Sequence, residues 1–208
     1  DIYLYFVCET SENEVLARTV KNVGLDFGLK TFLTASDGKD IKAPLFFRQN
    51  ANAIKMASRN LSRKAKGSNN RKKAKIALAR LHKKVANQRN NFHWQTANKL
   101  VGEYALICIE DLNLKAMQKR FGRKISDLGF ADFVSKLKYK AHRACASVVE
   151  VDRFFPSSQL CSDCGYQNTE TKNLTIRKWT CPKCGIIHNS DRNASITIVR
   201  EGSRTFYA

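Results

Sequence analysis

The stretch Cys161-Ser-Asp-Cys164, followed after sixteen residues by Cys181-Pro-Lys-Cys184, decides how the C-terminal part of the chain folds. Two Cys-x-x-Cys pairs at this spacing can each supply two of the four thiolates around a tetrahedral zinc ion, at about 2.3 Å from the metal. Gly165 and Gly185 follow the two pairs, where a tight turn favours a residue that tolerates positive φ. Four thiolates close the coordination sphere, so the pattern predicts one structural zinc ion and a ribbon that does no chemistry itself.

Three acidic residues outside the cysteine pairs are candidates for a second site. Asp191 comes seven positions after the last cysteine, where we expect a helix to start. Asp26 lies within a short β run, and Glu110 ends the apolar run 104–109, which has the length of a buried strand. Burying unpaired charge is costly, so Glu110 either caps the next element or binds a metal. Asp26 alone could equally be a turn-former or a local hydrogen-bond acceptor.

These three carboxylates, without a nucleophilic serine or cysteine dyad, meet the requirements of two-metal phosphodiester cleavage. Two Mg²⁺ or Mn²⁺ ions about 4 Å apart activate a water and stabilise the leaving oxygen, and carboxylates are the hard ligands that such ions prefer. In this scheme Asp26 bridges both catalytic ions, while Glu110 and Asp191 each hold one. Asn193 could order the groups around them. His188 either contacts the scissile phosphate or packs near the ribbon.

The charge of the chain indicates a polyanionic partner. Lysine and arginine number 37 against 18 acidic residues, which gives a net charge of +19. Such an excess favours nucleic acid, held through its phosphates, over an acidic membrane lipid. No apolar run approaches the roughly twenty residues that span a bilayer. We therefore expect a protein that binds nucleic acid and is not associated with a membrane.

The basic residues concentrate between Ile41 and Gly102, a segment without any acidic residue. Apolar residues at helical spacing predict two helices here, about 48–66 and 71–101, with Ser68 or Asn70 capping the second. A basic helical face is commonly just solvated, but a stretch this long favours contact with a phosphate backbone. The candidate nucleic-acid-binding residues are Arg59, Arg63, Lys64, Lys66, Arg71, Lys72, Lys73 and Lys75.

The remaining patterns predict an α/β architecture. A β-hairpin covers 22–38, the basic helices come next, and strand 104–109 leads through a loop at 112–130 to a helix at 131–145 and a strand at 147–151. The helix at 131–145 is expected to turn Phe133, Leu137 and Ala141 or Ala144 toward the core. Alternating strands and helices indicate a mixed sheet flanked by helices. Two further strands are predicted at 2–8 and 14–20. Cys8, Cys108 and Cys145 are interpreted as small core residues, which together with a zinc ribbon favours a reducing, intracellular setting.

Five motifs occur in order and cover nearly the whole chain. They are Gly-Leu-Asp26-Phe-Gly-Leu-Lys, Ile-Glu110-Asp-Leu-Asn-Leu-Lys, Phe-Pro-Ser-Ser-Gln-Leu-Cys161, Trp179-Thr-Cys-Pro-Lys-Cys-Gly and His188-x-x-Asp191-x-Asn-Ala. Together they resemble the C-terminal half of the TnpB (OrfB) family, the nucleases of bacterial and archaeal insertion sequences related to type V CRISPR effectors. This resemblance implies a cytoplasmic, nucleoid-associated protein of a prokaryote. The chain departs from the family at Asn189 and Ser190, where the last motif has an aspartate and an arginine.

The resemblance implies an RNase H-like (RuvC) nuclease domain interrupted by a four-cysteine zinc ribbon that binds the target nucleic acid. Asp26, Glu110 and Asp191 match the three acidic residues of a Mg²⁺-dependent DNA endonuclease, guided by RNA in the complete protein. Residues 1–20 would then be the last strands of an absent N-terminal domain. The nuclease domain would comprise 21–156, with the 112–130 loop as a lid, and 188–208, and the ribbon would occupy 157–187.

Two other functions are consistent with the same residues. A nucleic-acid-binding protein or repressor without cleavage activity would keep the basic helices and the ribbon. A transposase of the DDE type would also place three acids around two metals, but a zinc ribbon inserted just before the third acid argues against it.

Overall fold

The computed structural model describes residues 20–173 and 175–208, without the side chains of 114–116, 120 and 123. Apart from Val20, the strands predicted at 2–8 and 14–20 lie outside the described residues, as does Cys8. The elements in chain order are β1 Asn22–Phe27, β2 Thr31–Ala35, β3 Ile41–Lys42, α1 Phe46–Ser62, α2 Asn69–Glu103, β4 Leu106–Glu110, α3 Leu114–Leu128, α4 Phe130–Arg143, β5 Ser147–Val151, a 3₁₀ turn Thr169–Lys172, β6 Lys178–Thr180, β7 Ile187–Asn189 and α5 Ser190–Tyr207.

A mixed sheet of five strands forms the centre of the fold, in the order β3-β2-β1-β4-β5. The β1–β2 hairpin is antiparallel, whereas β1, β4 and β5 run parallel, with Leu25 opposite Ile109 and Glu110 opposite Val151. Parallel neighbours bring their carboxyl ends to the same edge. This topology therefore places the ends of β1 and β4, with Asp26 and Glu110, next to each other.

The two faces of the sheet bury different side chains. Val23, Leu25 and Phe27 of β1 belong to a core that includes residues of α2, α3 and α4. On the opposite face, α5 packs through Ile198 against a smaller cluster that includes Cys108. Side chains alternate along a strand, so Asp26 and Glu110 project toward the α5 face.

Two glycines let α5 approach the sheet closely. A Cβ atom on Gly24 of β1 would lie 2.0 Å from the Ser195 carbonyl oxygen, and one on Gly202 of α5 would lie 2.4 Å from Cys108 Sγ. Both distances are shorter than any real contact, so a side chain at either position would push the helix outward. Because α5 begins with Asp191 in its first turn, this close packing also determines where that carboxylate lies.

The basic helices are confirmed, and the residue that caps the second is Ser68. Its Oγ accepts a hydrogen bond from the Arg71 N–H at 3.2 Å, which satisfies a free donor at the start of α2. The apolar face predicted for the helix after 130 is also confirmed, since Phe133, Leu137 and Ala141 are buried.

Two expectations from the sequence are wrong. Segment 112–130 is not a loop, because α3 occupies Leu114–Leu128 with a kink at Phe121. Its apolar contacts, through Met117, Ile125 and Leu128, are widely spaced, which hid the helical period. Cys145 is exposed and not a core residue, because it follows the end of α4 with a φ of 53°. Cys108, in contrast, is buried as expected.

No helix in the described part of the chain combines the length and the apolar character needed to cross a bilayer.

Candidate active site and metal centre

The four paired cysteines form a compact cluster. Their Sγ atoms all lie within 4.8 Å of one another, and Cys161–Cys184 and Cys164–Cys181 are each separated by 3.6 Å. A tetrahedron with sulfur–zinc distances of about 2.3 Å has edges of about 3.8 Å. The distances between the sulfurs therefore fit a zinc ion, and they are far longer than the roughly 2.05 Å of a disulfide.

Each Cys-x-x-Cys pair is shaped by the same local turn. The N–H of Gly165 donates to the Cys161 carbonyl at 3.0 Å, and the N–H of Gly185 donates to the Cys181 carbonyl at 2.9 Å. The two glycines have φ values of 71° and 73°, which L side chains adopt with difficulty. The expectation that these turns need glycine is confirmed. Backbone hydrogen bonds thus shape each cysteine turn, and the pairing of β6 with β7 closes the ribbon.

His188 belongs to the ribbon. Its side chain is 6% exposed, its ring lies 4.8 Å from that of Trp179, and its Nε2 lies 3.1 Å from Cys161 Sγ. Asp163 lies close to both Cys161 and His188, with a carboxylate oxygen 3.8 Å from His188 Nε2. Of the two interpretations of His188, the described contacts are those of packing beside the ribbon.

Asp26 and Glu110 lie side by side at the ends of β1 and β4. Burial raises the pKa of Asp26 well above its usual range, and the negative charges of Glu110 and then Asp191 raise it further. Burial also raises the pKa of Glu110, although a hydrogen bond with Asp26 opposes that shift. The pair is therefore costly to ionise without a cation. A hard divalent ion removes this cost, and oxygen ligands are those it prefers.

Asp191 approaches the pair from the first turn of α5, but a basic side chain contacts it. Arg177, just before β6, donates from Nη1 to Asp191 Oδ1 at 2.8 Å, and both side chains are substantially exposed. Among the described residues, the oxygens of Asp26, Glu110 and Asp191 do not all lie within 4.8 Å of one another. The fold thus brings the three acids into one neighbourhood, where they could hold cations between them, while Arg177 balances the most exposed one.

The start of α5 is anchored by the two residues at which the chain departs from the family motif. Asn189 caps the helix, since its Oδ1 accepts from the Arg192 N–H at 3.1 Å. Ser190 Oγ donates to the Ile176 carbonyl at 2.8 Å. The Arg192 guanidinium also donates to the Ala35 carbonyl of β2. These bonds hold the turn that carries Asp191 against both the sheet and the ribbon.

Arg177 is not among the site residues that the sequence predicts. Its guanidinium reaches Asp191 only because the β6–β7 pairing brings residues fourteen positions apart together. An isolated arginine in a basic chain gives no signal of such a contact.

The predicted nucleic-acid-binding residues cluster where α1 ends and α2 begins. Most of these cations are exposed, but Arg71 differs. Its Nη1 donates to the carbonyls of Leu61 and Lys64 at 3.0 and 3.1 Å, so Arg71 ties the two helices together. The exposed members of the set are Arg59, Arg63, Lys66, Lys72, Lys73 and Lys75, with Lys64 partly covered.

Two family models match the chain. The OrfB model of IS605, described as "Probable transposase", matches residues 5–120, and a "Cas12f1-like, TNB domain" matches residues 130–198. The second match contains the four cysteines and Asp191, and the first contains Asp26 and Glu110.

Curated relatives from bacteria and a giant virus are similar to nearly the whole chain. A Streptomyces pristinaespiralis protein named "Putative RNA-guided DNA endonuclease" is 36% identical over 96% of this chain and 50% of its own length. "TnpB-like protein L79" of Acanthamoeba polyphaga mimivirus is 25% identical, over 99% and 42%. "Putative RNA-guided DNA endonuclease InsQ" of Escherichia coli (strain K12) is 29% identical, over 96% of this chain and 54% of its own length. The chain spans about half the length of the curated relatives it matches.

Two solved structures share the fold. The Cas12f1–sgRNA–target DNA complex aligns with a TM-score of 0.59 and 18% identity, over 85% of this chain and 49% of that one. A CRISPR–Cas12f ternary complex aligns with a TM-score of 0.61 and 19% identity, over 88% and 39%.

Proposed function

The chain belongs to the OrfB (TnpB) family, and from that premise we propose that it is a metal-dependent DNA endonuclease of the RuvC type, encoded by an insertion sequence. The observation that carries the proposal is the placement of Asp26 and Glu110 on adjacent parallel strand ends, with Asp191 entering from α5. The pKa values of Asp26 and Glu110 are both raised by burial, so a bound cation would favour their ionised forms.

The architecture supports an RNase H-like domain interrupted by a zinc ribbon. An antiparallel hairpin continues into two parallel strands, and a helix covers the face on which the acids lie. The ribbon enters between β5 and α5, and β7 leads directly into the helix that bears Asp191. We propose the domain boundaries that the sequence indicates, except that the ribbon extends through β7 to Asn189 and the last nuclease segment begins with α5.

Asp26, Glu110 and Asp191 would hold two Mg²⁺ or Mn²⁺ ions, with Asp26 shared between them. When bound, such ions activate a water and stabilise the leaving oxygen of a phosphodiester. The protein itself contributes the three carboxylates. The close packing of α5 on the sheet brings Asp191 toward Asp26 and Glu110, and Arg177 places a positive charge beside Asp191. Cys161, Cys164, Cys181 and Cys184 would hold the structural zinc.

The basic tip formed by α1 and α2 would bind the phosphates of target DNA or of the guide RNA used by the complete protein. Fluorescence anisotropy with a labelled single strand tests this. Replacing Lys72 and Lys73 together by glutamine should reduce the slope of log K against log salt by about 1.4, at roughly 0.7 per phosphate contact. The control is Lys138→Gln, since Lys138 is paired with Glu150 at 2.6 Å. An equal slope change in the control would remove the tip from the interface.

The direct test of the enzyme is cleavage of end-labelled single- and double-stranded DNA by the whole chain with Mg²⁺ or Mn²⁺. The proposal predicts cutting that needs both the metal and Asp26, so that Asp26→Ala is inactive while its zinc content stays at one ion per chain. Absence of cutting by a folded, zinc-loaded chain would mean either that the guide-RNA complex is needed to open the site, or that the chain is the alternative, a nucleic-acid-binding protein or repressor without cleavage. Joined strand-transfer products would instead indicate a transposase.

A further inference from the structure

The zinc cluster and the third carboxylate are physically connected through one buried side chain. We propose that Asn193 is a positioning residue that couples zinc binding in the ribbon to the placement of Asp191, so that the zinc ion controls the affinity of the carboxylate site for divalent metal. This inference rests on the proposed function, because it assumes that Asp191 is a metal ligand.

Both ends of the Asn193 amide are used by the ribbon. Its Oδ1 accepts from the Ser162 N–H at 2.9 Å, and its Nδ2 donates to the Leu160 carbonyl at 2.6 Å. Asn193 is 1% exposed, so neither bond is replaced by water if the side chain is removed. The two backbone groups flank Cys161, which is the first cysteine of the cluster. The amide therefore fixes the backbone of a zinc ligand to the first turns of α5.

The ribbon has two arms, one carrying Cys161 and Cys164 and the other carrying Cys181 and Cys184. The second arm also bonds to the first turn of α5. Ser190 donates its N–H to the Arg177 carbonyl at 3.0 Å and its hydroxyl to the Ile176 carbonyl. Arg177 then contacts Asp191 through its guanidinium. The turn carrying Asp191 is thus bonded to the segment around Cys161 and to the segment before Cys181.

A zinc ion would link these two arms, because each arm supplies two of its four thiolates. Without that link, the bonds from Asn193 and Ser190 connect the turn to two segments whose separation is no longer set by a shared metal ion. Divalent-metal sites lose affinity when a ligand is displaced, and groups that orient ligands are commonly worth ten- to a hundredfold. Zinc would therefore act on the carboxylate site without touching it.

The test measures Mn²⁺ binding by electron paramagnetic resonance, with zinc content determined on the same samples. Zinc-loaded Asn193→Ala should keep its zinc yet bind Mn²⁺ about tenfold more weakly than the unmodified chain. The matched control is Thr197→Val. Thr197 lies one turn further along α5, and its hydroxyl donates to the Ser157 carbonyl at 2.9 Å, away from the cysteine turns. Its affinity for Mn²⁺ should stay within about twofold.

Removing zinc completes a cycle. Zinc removal should weaken Mn²⁺ binding about tenfold in the unmodified chain but have little further effect in Asn193→Ala, because both changes break the same connection. Unchanged Mn²⁺ affinity in zinc-loaded Asn193→Ala would overturn the inference. It would also be overturned if zinc removal weakened Mn²⁺ binding by the same factor in Asn193→Ala as in the unmodified chain, because the two changes would then act independently. If the zinc-free chain loses its circular dichroism signal, the zinc-loaded variants decide the question alone.

An Asp26→Ala sample separates failure of the metal site from failure of the coupling. If the unmodified chain binds Mn²⁺ no better than Asp26→Ala, the proposed metal site itself is wrong. If binding depends on Asp26 but is the same in Asn193→Ala, the nuclease site stands and only the coupling fails.

Discussion

The cysteine cluster and the carboxylate cluster lie close together in the fold but are built in opposite ways. The cysteines come from two short motifs, and backbone turns arrange their sulfurs within 4.8 Å of one another. The carboxylates come from three segments of the chain, and their oxygens do not all approach to that distance. The first site is specified by local sequence, while the second exists only when the whole sheet and α5 are assembled.

The two clusters also differ in what the protein does with their charge. Burial opposes the ionisation of both Asp26 and Glu110, and the charges of Glu110 and Asp191 further oppose that of Asp26, so the pair is costly to ionise without a cation. A group of acids kept in this state at the edge of a sheet contributes little to stability. This difference supports the proposal that the cysteines stabilise the fold and that the acids take part in the reaction.

The largest effect should come from the ribbon. Cys181→Ser should reduce bound zinc from one ion per chain to almost none and should destabilise the ribbon by several kcal/mol, because structural zinc contributes directly to folding. Zinc assay and thermal unfolding measure this. A chain that keeps its zinc without Cys181 would show that the four thiolates do not form the site.

A smaller and opposite effect is expected at Asp26. Asp26→Asn should stabilise the metal-free chain at neutral pH by roughly 1 kcal/mol, the usual size of a single-residue change, since it removes a buried carboxylate that resists ionisation. The folded-state pKa is raised, so the wild type loses stability as the pH rises from the ordinary carboxylate range near 4 toward the folded-state pKa. The advantage of the variant should therefore vanish near pH 4.

Thermal unfolding across this pH range, with and without Mn²⁺, checks the Asp26 prediction. Added Mn²⁺ should stabilise the wild type but not the variant. A variant that is less stable than the wild type at neutral pH without metal would mean that Asp26 has a structural role, like that of the cysteines.

The smallest effect is expected at Arg177. Its ion pair with Asp191 is exposed, so Arg177→Gln should change the free energy of unfolding by less than about 0.5 kcal/mol. Removing a positive charge next to the acids should, however, raise Mn²⁺ affinity roughly threefold. Arg153→Gln is the control, because Arg153 pairs with Asp111 at 2.6 Å. Equal changes in both variants would indicate a general charge effect.

The sequence predicted the local parts of this structure well. The glycines after the cysteine pairs, the Ser68 cap and the buried face of α4 all follow from short-range rules about turns, caps and helical spacing. The predicted mixed sheet is confirmed, and its parallel pair β1 and β4 places Asp26 beside Glu110.

The features that the sequence did not predict depend on tertiary contacts. The α3 helix was hidden by sparse apolar positions that become a face only against the core. Arg71 was predicted to bind phosphate, but its guanidinium donates hydrogen bonds to the carbonyls of Leu61 and Lys64 near the end of α1. The pairing of Arg177 with Asp191 requires the register of the ribbon strands.

The most direct test of the nuclease proposal compares two neighbouring carboxylates. Glu110 shares the α5 face of the sheet with Asp26, whereas Asp111 is bonded to Arg153. The rate of Mg²⁺-dependent DNA cleavage should fall by at least about a thousandfold in Glu110→Gln, since metal ions supply several kcal/mol of transition-state stabilisation, and should change little in Asp111→Asn. Equal rates in the two variants, or loss of cleavage only in Asp111→Asn, would contradict the assignment of the carboxylate site.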